Sequence, residues 1–198
     1  PGTTQELFSL DELIKEFNLE RVQKAGAVFD LEKLDWLQGQ WMRKLTAHEF
    51  AKRILPLVAA KHPEAGSDAH FEKKSALIQE RITFFHEAPE MMGYFYADPD
   101  VSIDLLASAK QKVSKEQLPS ILAALIKGLD AVPEKSWKED SIKEVVQATM
   151  GETGLKLGQL LWPLRAALTG REYSPGAYEV AATLGKGVTM RRLGAAAK

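Results

Sequence analysis

Helix signals run along almost the whole chain, and they constrain its fold more than any other feature. Apolar residues recur every three or four positions between polar caps, which is the spacing of one helix face. Ser9 followed by Glu12 forms a capping box, and Asp30 and Thr46 precede two further periodic runs. Residues 101–104 alternate, but a strand that short cannot pair alone. The pattern predicts an all-α fold: a bundle or cage of about ten helices in two packed subdomains.

Proline, glycine and polar caps predict where these helices begin and end. Pro56 lies inside a periodic run, so we expect a kink or an early helix end there. We expect a loop over 62–67 and a helix from Asp68 to about Phe84. The other predicted boundaries are a helix end at Gly128, a start at Ser136 or Asp140, a break over 151–154, stops at Gly170 and Gly185, and a last helix over 188–197. A seam near residue 100 divides the chain into predicted subdomains 1–100 and 101–198.

The composition excludes several classes of protein. Hydrophobic residues form 45% and charged residues 27% of the 198 residues, so the chain is not of the disordered type. No run approaches the roughly 18 apolar residues of a membrane span. The N-terminus lacks a signal-peptide pattern, and its Pro1-Gly2 start indicates a cut fragment or a processed product. Because there is no cysteine, disulfides and thiolate zinc sites are excluded, and we expect a cytoplasmic location with no membrane attachment.

Positive charge is concentrated at the C-terminal end. From residue 155 onward, seven basic residues face two acidic ones, a local balance of +5 in a chain of net charge −1. The basic residues are Lys156, Arg165, Arg171, Lys186, Arg191, Arg192 and Lys198. A basic end on a neutral chain suits a polyanionic partner. A solvated surface is the alternative, and charge alone does not decide between them.

No catalytic or metal-binding motif occurs. Both phosphate-binding glycine loops, GxxxxGK[ST] and GxGxxG, are absent. The histidines at 48, 62, 70 and 86 lack metal-ligand spacing, and no Ser-His-Asp set is indicated. A small helical enzyme therefore has no motif support, and we expect no catalytic residue and no metal site in this chain.

Two aromatic groups could either fill the core or meet RNA bases. Trp36 lies among Leu31 and Leu34, which favours core packing, whereas Trp41 is in a more polar setting. The 94–96 cluster Tyr-Phe-Tyr could stack on unpaired bases. The favoured interpretation is that it fills a junction between helices.

Three stretches together resemble a known family. They are residues 8–37, with FSLDELI and VFDLEKLDWL; residues 157–170, with PLRAALTG; and residues 174–186, beginning SPG. In order and wording they resemble the part of bacterial-type glutamyl-tRNA synthetase that follows its catalytic domain. The resemblance extends from about Thr4 to Leu193. It implies an all-α region after the catalytic domain and then an anticodon-binding helical cage.

The resemblance also implies what this chain does and lacks. The family's HIGH-type and KMSKS-type ATP motifs precede this region, and neither occurs here. The whole enzyme, a class I aminoacyl-tRNA synthetase, attaches glutamate to tRNA with ATP and Mg²⁺, so this chain should position tRNA(Glu) and catalyse nothing by itself. The implied partners are the anticodon loop of tRNA(Glu) and the catalytic domain of the same chain. We expect a monomer, and whether tRNA(Gln) also binds stays open.

The resemblance assigns site residues one by one. The arginine of PLRAALTG, which contacts an anticodon base in the family, is Arg165. The segment that lies against the anticodon corresponds to Ser174, Pro175 and Gly176, and a second anticodon arginine corresponds to Arg81. Ala177 stands where the family often has a larger aliphatic residue, which weakens an apolar contact there.

Each assignment has a structural alternative. Arg165 could form a salt bridge to a neighbouring helix, and Ser174 could be a plain N-cap, which does not exclude RNA contact. At the level of the whole chain, the alternative to RNA binding is a helical protein-interaction module that uses the acidic stretch 87–104. Binding that falls steeply with salt would favour RNA.

Overall fold

The fold is all-α, as the sequence predicts. A computed structural model describes residues 4–22, 26 and 28–198; the predicted Pro1-Gly2 start and Ala27 of the first resembling stretch lie outside the described residues. Eleven α-helices occur in this part of the chain. They are α1 (Leu10–Glu16), α2 (Leu31–Arg43), α3 (Ala47–Lys61), α4 (Phe71–Ile78), α5 (Ala88–Met91), α6 (Ile103–Leu106), α7 (Leu118–Asp130), α8 (Glu139–Thr153), α9 (Leu157–Thr169), α10 (Ala177–Leu184) and α11 (Lys186–Ala196).

The N-terminal caps form as predicted. The Glu12 backbone N–H donates to the Ser9 hydroxyl at 3.3 Å, and the Ser9 backbone N–H donates to the Glu12 carboxylate at 2.7 Å. The Asp30 carboxylate accepts the Lys33 N–H at 3.0 Å, and Thr46 starts α3 with a second capping box. These local bonds satisfy backbone donors that the helix itself leaves unpaired.

One apolar core joins α3, α4 and the helices from α7 to α11. In α3, Phe50, Ile54 and Val58 are buried on one face. In α7, residues Ile121, Leu122 and Leu125 pack in the same cluster. Helices α8, α9 and α11 pack against α7, and α10 packs against those three helices; together they contribute Ile142, Val146, Leu160, Leu164, Val180 and Leu193. Helix α9 and the loop before α10, which carry predicted site residues, therefore pack on this core.

Of the two N-terminal helices, α1 lies outside this core, and α2 contributes Met42 near its C-terminal end. Helix α1 buries no residue, and its Leu10, Ile14 and Phe17 side chains are largely exposed. On α2, Trp36 is 40% exposed, and the Lys33 ammonium lies 4.1 Å from its ring centroid. The prediction that Trp36 packs in the core was wrong, because its side chain is partly exposed and lies against Lys33 of the same helix.

Several predicted helix boundaries were wrong. Helix α3 continues through Pro56 to Lys61, so the early end is not found. Residues 63–67 form a short 3₁₀ helix rather than an irregular loop, and α4 covers only Phe71–Ile78 of the long helix predicted from Asp68. Helix α8 starts after Lys138, continues through Gly151 and ends at its C-cap Gly154, so the break predicted over 151–154 occurs at the last residue of that range; α11 starts at Lys186, two residues before the predicted start. Local sequence signals predicted these helix ends wrongly, because tertiary packing can override local helix propensity.

Two glycines show why a glycine signal is ambiguous. Helix α7 runs through Gly128 to Asp130, and a Cβ at Gly128 would lie 2.9 Å from Val145 Cγ1 of α8. Gly128 therefore permits close helix packing and ends nothing. Gly170 does end α9, with a φ of +63°, and a Cβ there would lie 2.6 Å from Pro99 Cβ. Of these two positions, only 170 has the left-handed backbone that favours glycine.

Arg192 of α11 connects distant parts of the chain. Its side chain is 6% exposed and donates to the carbonyl oxygens of Leu168 (2.5 Å), Tyr94 (2.8 Å) and Ala97 (3.0 Å). Its Nε also donates to the Asp98 carboxylate at 2.9 Å. The division of the chain near residue 100 stays a prediction, and Arg192 forms bonds on both sides of that position.

Candidate nucleic-acid interface

Arg165 lies on α9, where its guanidinium has two fixed neighbours. Its Nη2 donates to the Glu172 backbone carbonyl at 2.8 Å. Its Cζ lies 4.9 Å from the centroid of the Trp162 ring, one helix turn earlier. No acidic side chain on a neighbouring helix pairs with it among the described residues, so the salt-bridge alternative is not found.

The second predicted arginine lies near the first. Burial, and after it the Arg81 guanidinium, lower the pKa of Arg165, while Glu172 acts in the opposite direction. Arg165 nevertheless stays charged at neutral pH, because a guanidinium loses its proton only at very high pH. Arg81 is exposed and lines a cleft of about 310 Å³ together with Arg43 and Glu179. The fold thus gathers cations from α2, from the segment after α4 and from α9.

The segment from Ser174 to Ala177 enters helix α10. Gly176 is the N-cap, and its backbone N–H donates to the Glu179 carboxylate at 3.0 Å. Ser174 is buried, and its hydroxyl donates to the Pro175 carbonyl at 3.1 Å. The prediction that Ser174 caps the helix was wrong, because the chain reaches the helix two residues later. One of the donors expected at this helix start is already occupied.

A cleft of about 710 Å³ joins these elements. One side is α9, the second is the 172–177 segment, and the third is the region 104–111. The side chains and backbone that matter most for its chemistry belong to Lys110, Trp162, Arg165, Tyr173, Gly176 and Ala177. The structure therefore brings Arg165, Gly176 and Ala177 to one cleft, whereas Arg81 lines the neighbouring one.

Sequence reasoning missed two aromatic residues of this cleft. Tyr173 is 77% exposed, the highest exposure of any tyrosine that the structure describes. Trp162 is half-buried, and its indole N–H donates to the Leu105 carbonyl at 2.9 Å. Such rings offer flat faces on which an unpaired base can stack. Their position directly beside the PLRAALTG and SPG stretches was the available signal.

The other aromatic cluster is structural. Tyr94 and Phe95 are buried, with ring centroids 4.4 Å apart. Tyr96 donates its hydroxyl hydrogen to Asp68 at 3.0 Å and stacks on His62. The favoured interpretation of this cluster, a filled helix junction, is confirmed by its burial.

Most carboxylates of the acidic stretch 87–104 are engaged within the chain. Glu87 accepts two backbone N–H bonds from residues 83 and 84. The ion pairs of the stretch join Glu90 to Lys61 and Arg171, Asp98 to Arg191 and Arg192, and Asp104 to Lys115. The stretch therefore offers much less free negative charge than its sequence indicates.

Neither a metal site nor a membrane span is found where the structure can be described. Among residues 4–22, 26 and 28–198, no three His, Asp or Glu side chains approach closely enough to hold an ion. His48 pairs with Glu72 at 3.1 Å, and His62 Nε2 lies 2.9 Å from the Pro89 carbonyl oxygen. Within the same part of the chain, every helix is too short or too polar to cross a bilayer.

Known proteins resemble this chain in sequence and in structure. The family model described as anticodon binding domain matches residues 49–197. The glutamate–tRNA ligases of Clostridium novyi (strain NT) and Clostridium tetani are each 34% identical to it, over 195 and 194 residues. Each alignment covers 98% of this chain, but only 40% and 39% of those ligases. The chain thus spans about two fifths of the length of the relatives it matches.

Solved structures give the same result. A glutamate tRNA ligase from Elizabethkingia meningosepticum superposes with a TM-score of 0.72 at 28% identity, over 98% of this chain and 37% of that one. The glutamate–tRNA synthetase of Elizabethkingia anophelis gives a TM-score of 0.73 at 27% identity, over 100% of this chain and 37% of that one. The resemblance predicted from three short stretches is confirmed.

Proposed function

Because this chain belongs to the anticodon binding domain family, we propose that it binds the anticodon loop of tRNA(Glu) in the cleft beside Arg165. The observation that carries the proposal is a guanidinium held against the Trp162 ring, with the exposed Tyr173 ring in the same open cleft. Single-stranded loops are recognised in this way, by stacking of the bases and hydrogen bonds to their edges.

Arg165 has the chemistry of a base reader. A guanidinium carries five N–H donors, and the Glu172 carbonyl accepts a bond from one terminal nitrogen. The remaining donors can pair with two acceptors on one base, or with a base and a phosphate. We assign the first anticodon contact to Arg165 and a second to Arg81, whose charge already influences Arg165.

The loop before α10 supplies the other wall. Tyr173 projects into solvent beside Arg165, and we assign it a stacking contact. Gly176 and the buried Ser174 and Pro175 support that wall, and they contact RNA mainly through their backbone. Ala177 is small and buried, so it offers little of the apolar contact that a larger side chain would give.

We infer that the whole protein is a glutamate–tRNA ligase whose preceding catalytic domain binds ATP and Mg²⁺. The relatives are more than twice as long as this chain, which supports further domains in the whole protein. The exposed apolar side chains of α1 and α2 support contact with such a domain, since exposed patches of this kind mark interfaces. They include Leu10, Leu13, Ile14, Phe17, Leu31 and Leu34. A cytoplasmic monomer that acts on tRNA(Glu) completes the proposal.

The protein-interaction alternative is not favoured. It relied on the acidic stretch 87–104, and the carboxylates at 90, 98 and 104 are paired within the chain. An acidic docking surface needs carboxylates that are free to meet a partner's cations. Engaged carboxylates would have to break existing bonds first.

The decisive experiment compares RNA preference before and after one substitution. Wild-type chain and Arg165→Ala are titrated with tRNA(Glu) and with versions carrying a changed anticodon. Loss of a base contact should cost about 1–3 kcal/mol on tRNA(Glu) and less on the changed versions. Arg53→Ala is the control, because Arg53 is an exposed arginine on α3 that does not line the cleft. An unchanged preference in Arg165→Ala would show that Arg165 does not distinguish anticodon bases.

A further inference from the structure

A tight turn over residues 108–113 forms part of the wall of the cleft, which Ser108, Lys110 and Gln111 line. The Ser108 and Val113 backbones exchange two hydrogen bonds of 2.9 Å each, in an isolated antiparallel bridge. The Lys112 N–H donates to the Ala109 carbonyl at 3.1 Å, and the Gln111 N–H donates to the Ser108 hydroxyl at 3.3 Å. These bonds fix the shape of the tip, and we refer to residues 108–113 as the 108–113 turn.

The 108–113 turn is also attached to the helix that carries Arg165. The Gln159 amide on α9 donates to the Lys112 carbonyl at 3.0 Å. The Gln111 side chain lies directly over Gly158, where a Cβ would come within 2.0 Å of its Oε1. Val113 is buried in the core below. The tip therefore keeps a defined position relative to Arg165.

Lys112 has a backbone conformation that is unfavourable for a lysine. Its φ is +57°, and it is the only residue other than glycine with a positive φ in the described part of the chain. A residue with a side chain is less stable than glycine in this left-handed region, because its Cβ approaches the following carbonyl oxygen. Such strain concentrates at functional sites, and glycine would adopt this backbone angle more easily than lysine does.

The two lysines of the turn are unengaged cations. Lys110 and Lys112 are exposed, and neither forms an ion pair within the described residues. Lys115, just beyond the turn, differs because it pairs with Asp104. That pair neutralises an acid at the edge of the cleft. The positive charge that remains on this wall belongs to Lys110, which lines the cleft, and to Lys112 at the tip.

We propose that Lys110 and Lys112 of the 108–113 turn bind backbone phosphates of the RNA whose bases lie in the Arg165 cleft. The inference rests on the proposed function and adds the part of the RNA that this wall contacts. Phosphate contacts position a nucleic acid without identifying its bases, whereas base-edge contacts give specificity. The turn is thus a backbone-binding wall in the same cleft as a base-binding wall, and the two should respond differently to substitution.

The test uses the double variant Lys110→Gln and Lys112→Gly, with the isolated anticodon stem-loop of tRNA(Glu) as the probe. A glycine at 112 relieves the positive φ, so thermal unfolding should stay at or above the wild-type temperature. Affinity is measured by titration between 50 and 200 mM salt, with a second stem-loop of changed anticodon alongside. The control is Lys143→Gln combined with Lys127→Gln, which removes the same charge from exposed positions of α7 and α8 outside the cleft.

The expected result is a uniform loss. The slope of log affinity against log salt is negative, and each lost phosphate contact makes it shallower by about 0.7 for single-stranded RNA. The double variant should therefore have a slope shallower by about 1.4 and bind both stem-loops roughly tenfold more weakly at 0.1 M salt. Its preference between the two stem-loops should equal that of the wild type.

Two results would overturn the inference. One is a salt slope and affinity that match those of the control variant, and the other is a changed preference between the stem-loops, which would make the turn a reader of bases. Failure of the proposed function would give a different result from either of these, because the wild-type chain would itself show no preference for the tRNA(Glu) stem-loop.

Discussion

Replacement of Arg192 by alanine should destabilise the fold far more than loss of an exposed ion pair would. Three backbone carbonyls, at 94, 97 and 168, accept hydrogen bonds from this guanidinium, and no other donor reaches them among the described contacts. The bonds to the Leu168 and Tyr94 carbonyls are buried, and each buried acceptor left unpaired costs about 1–3 kcal/mol, whereas the more exposed Ala97 carbonyl can meet water. Because water will enter part of the vacated space, we expect a total of about 3–5 kcal/mol. A domain has only about 5–15 kcal/mol to lose.

Arg191→Ala provides a matched control. Arg191 is the next residue, has the same charge and donates to the same Asp98 carboxylate at 2.7 Å, but its side chain is 59% exposed. It should cost at most about 1 kcal/mol. Urea titrations followed by far-UV circular dichroism measure both free energies of unfolding. If Arg192→Ala lost no more than Arg191→Ala, the three carbonyls would not depend on the guanidinium, and the reasoning would be wrong.

Three further substitutions or conditions test the description. Gly170→Ala should lower the free energy of unfolding by about 2–4 kcal/mol in urea titrations, because it combines a left-handed backbone with a clash against Pro99; a neutral result would contradict that geometry. Glu179→Ala should cost about 0.5–2 kcal/mol by removing the acceptor of the Gly176 N–H, and Glu179→Gln should restore most of it. Bonds from its two arginine partners lower the pKa of Asp98, so its contribution is present above its ordinary pKa and disappears as the pH falls through the lower folded value; unfolding measured from pH 6 to pH 2 should show this loss below about pH 4, and Asp98→Asn should reduce it.

Local signals predicted the parts of the fold that depend on neighbours in sequence. The capping boxes at Ser9 and Thr46 form because cap and acceptor are three residues apart. The stop at Gly170 follows from its own backbone angle. Helical spacing predicted the all-α class for the same reason, because the periodicity of each helix can be seen in its own segment without knowledge of its partners.

Features that depend on distant partners could not be predicted. Arg192 looked like one cation of a basic tail, but its acceptors at 94–98 are more than ninety residues away. Gly128 was predicted to end a helix because glycine often does so. Its real role, to leave room for the Val145 side chain of another helix, cannot be seen in the local sequence. Trp36 has the pattern of a core residue but remains 40% exposed, outside the buried core. Periodicity identifies an apolar face and does not say what it meets.

The candidate site was predicted by resemblance and completed by geometry. The resembling stretches indicated Arg165 and Gly176, but the expected cap was Ser174, so the bond from the Gly176 N–H to Glu179, three residues on, was not predicted. Tyr173 stood beside the motif and was overlooked, because an exposed aromatic residue in a loop has no periodic signature. Lys112 could not be found at all without its backbone angle.

The packing of Arg165 between the Trp162 ring and the Glu172 carbonyl has a thermodynamic consequence. A long flexible side chain normally loses conformational entropy when a ligand immobilises it, at a cost of about 0.5–1.5 kcal/mol. Arg165 has lost much of that freedom before RNA arrives, so little of this cost falls on binding. The same preorganisation limits tolerance, because a guanidinium that cannot swing cannot follow a displaced acceptor. Mismatched anticodons should therefore dissociate faster while associating at nearly the same rate.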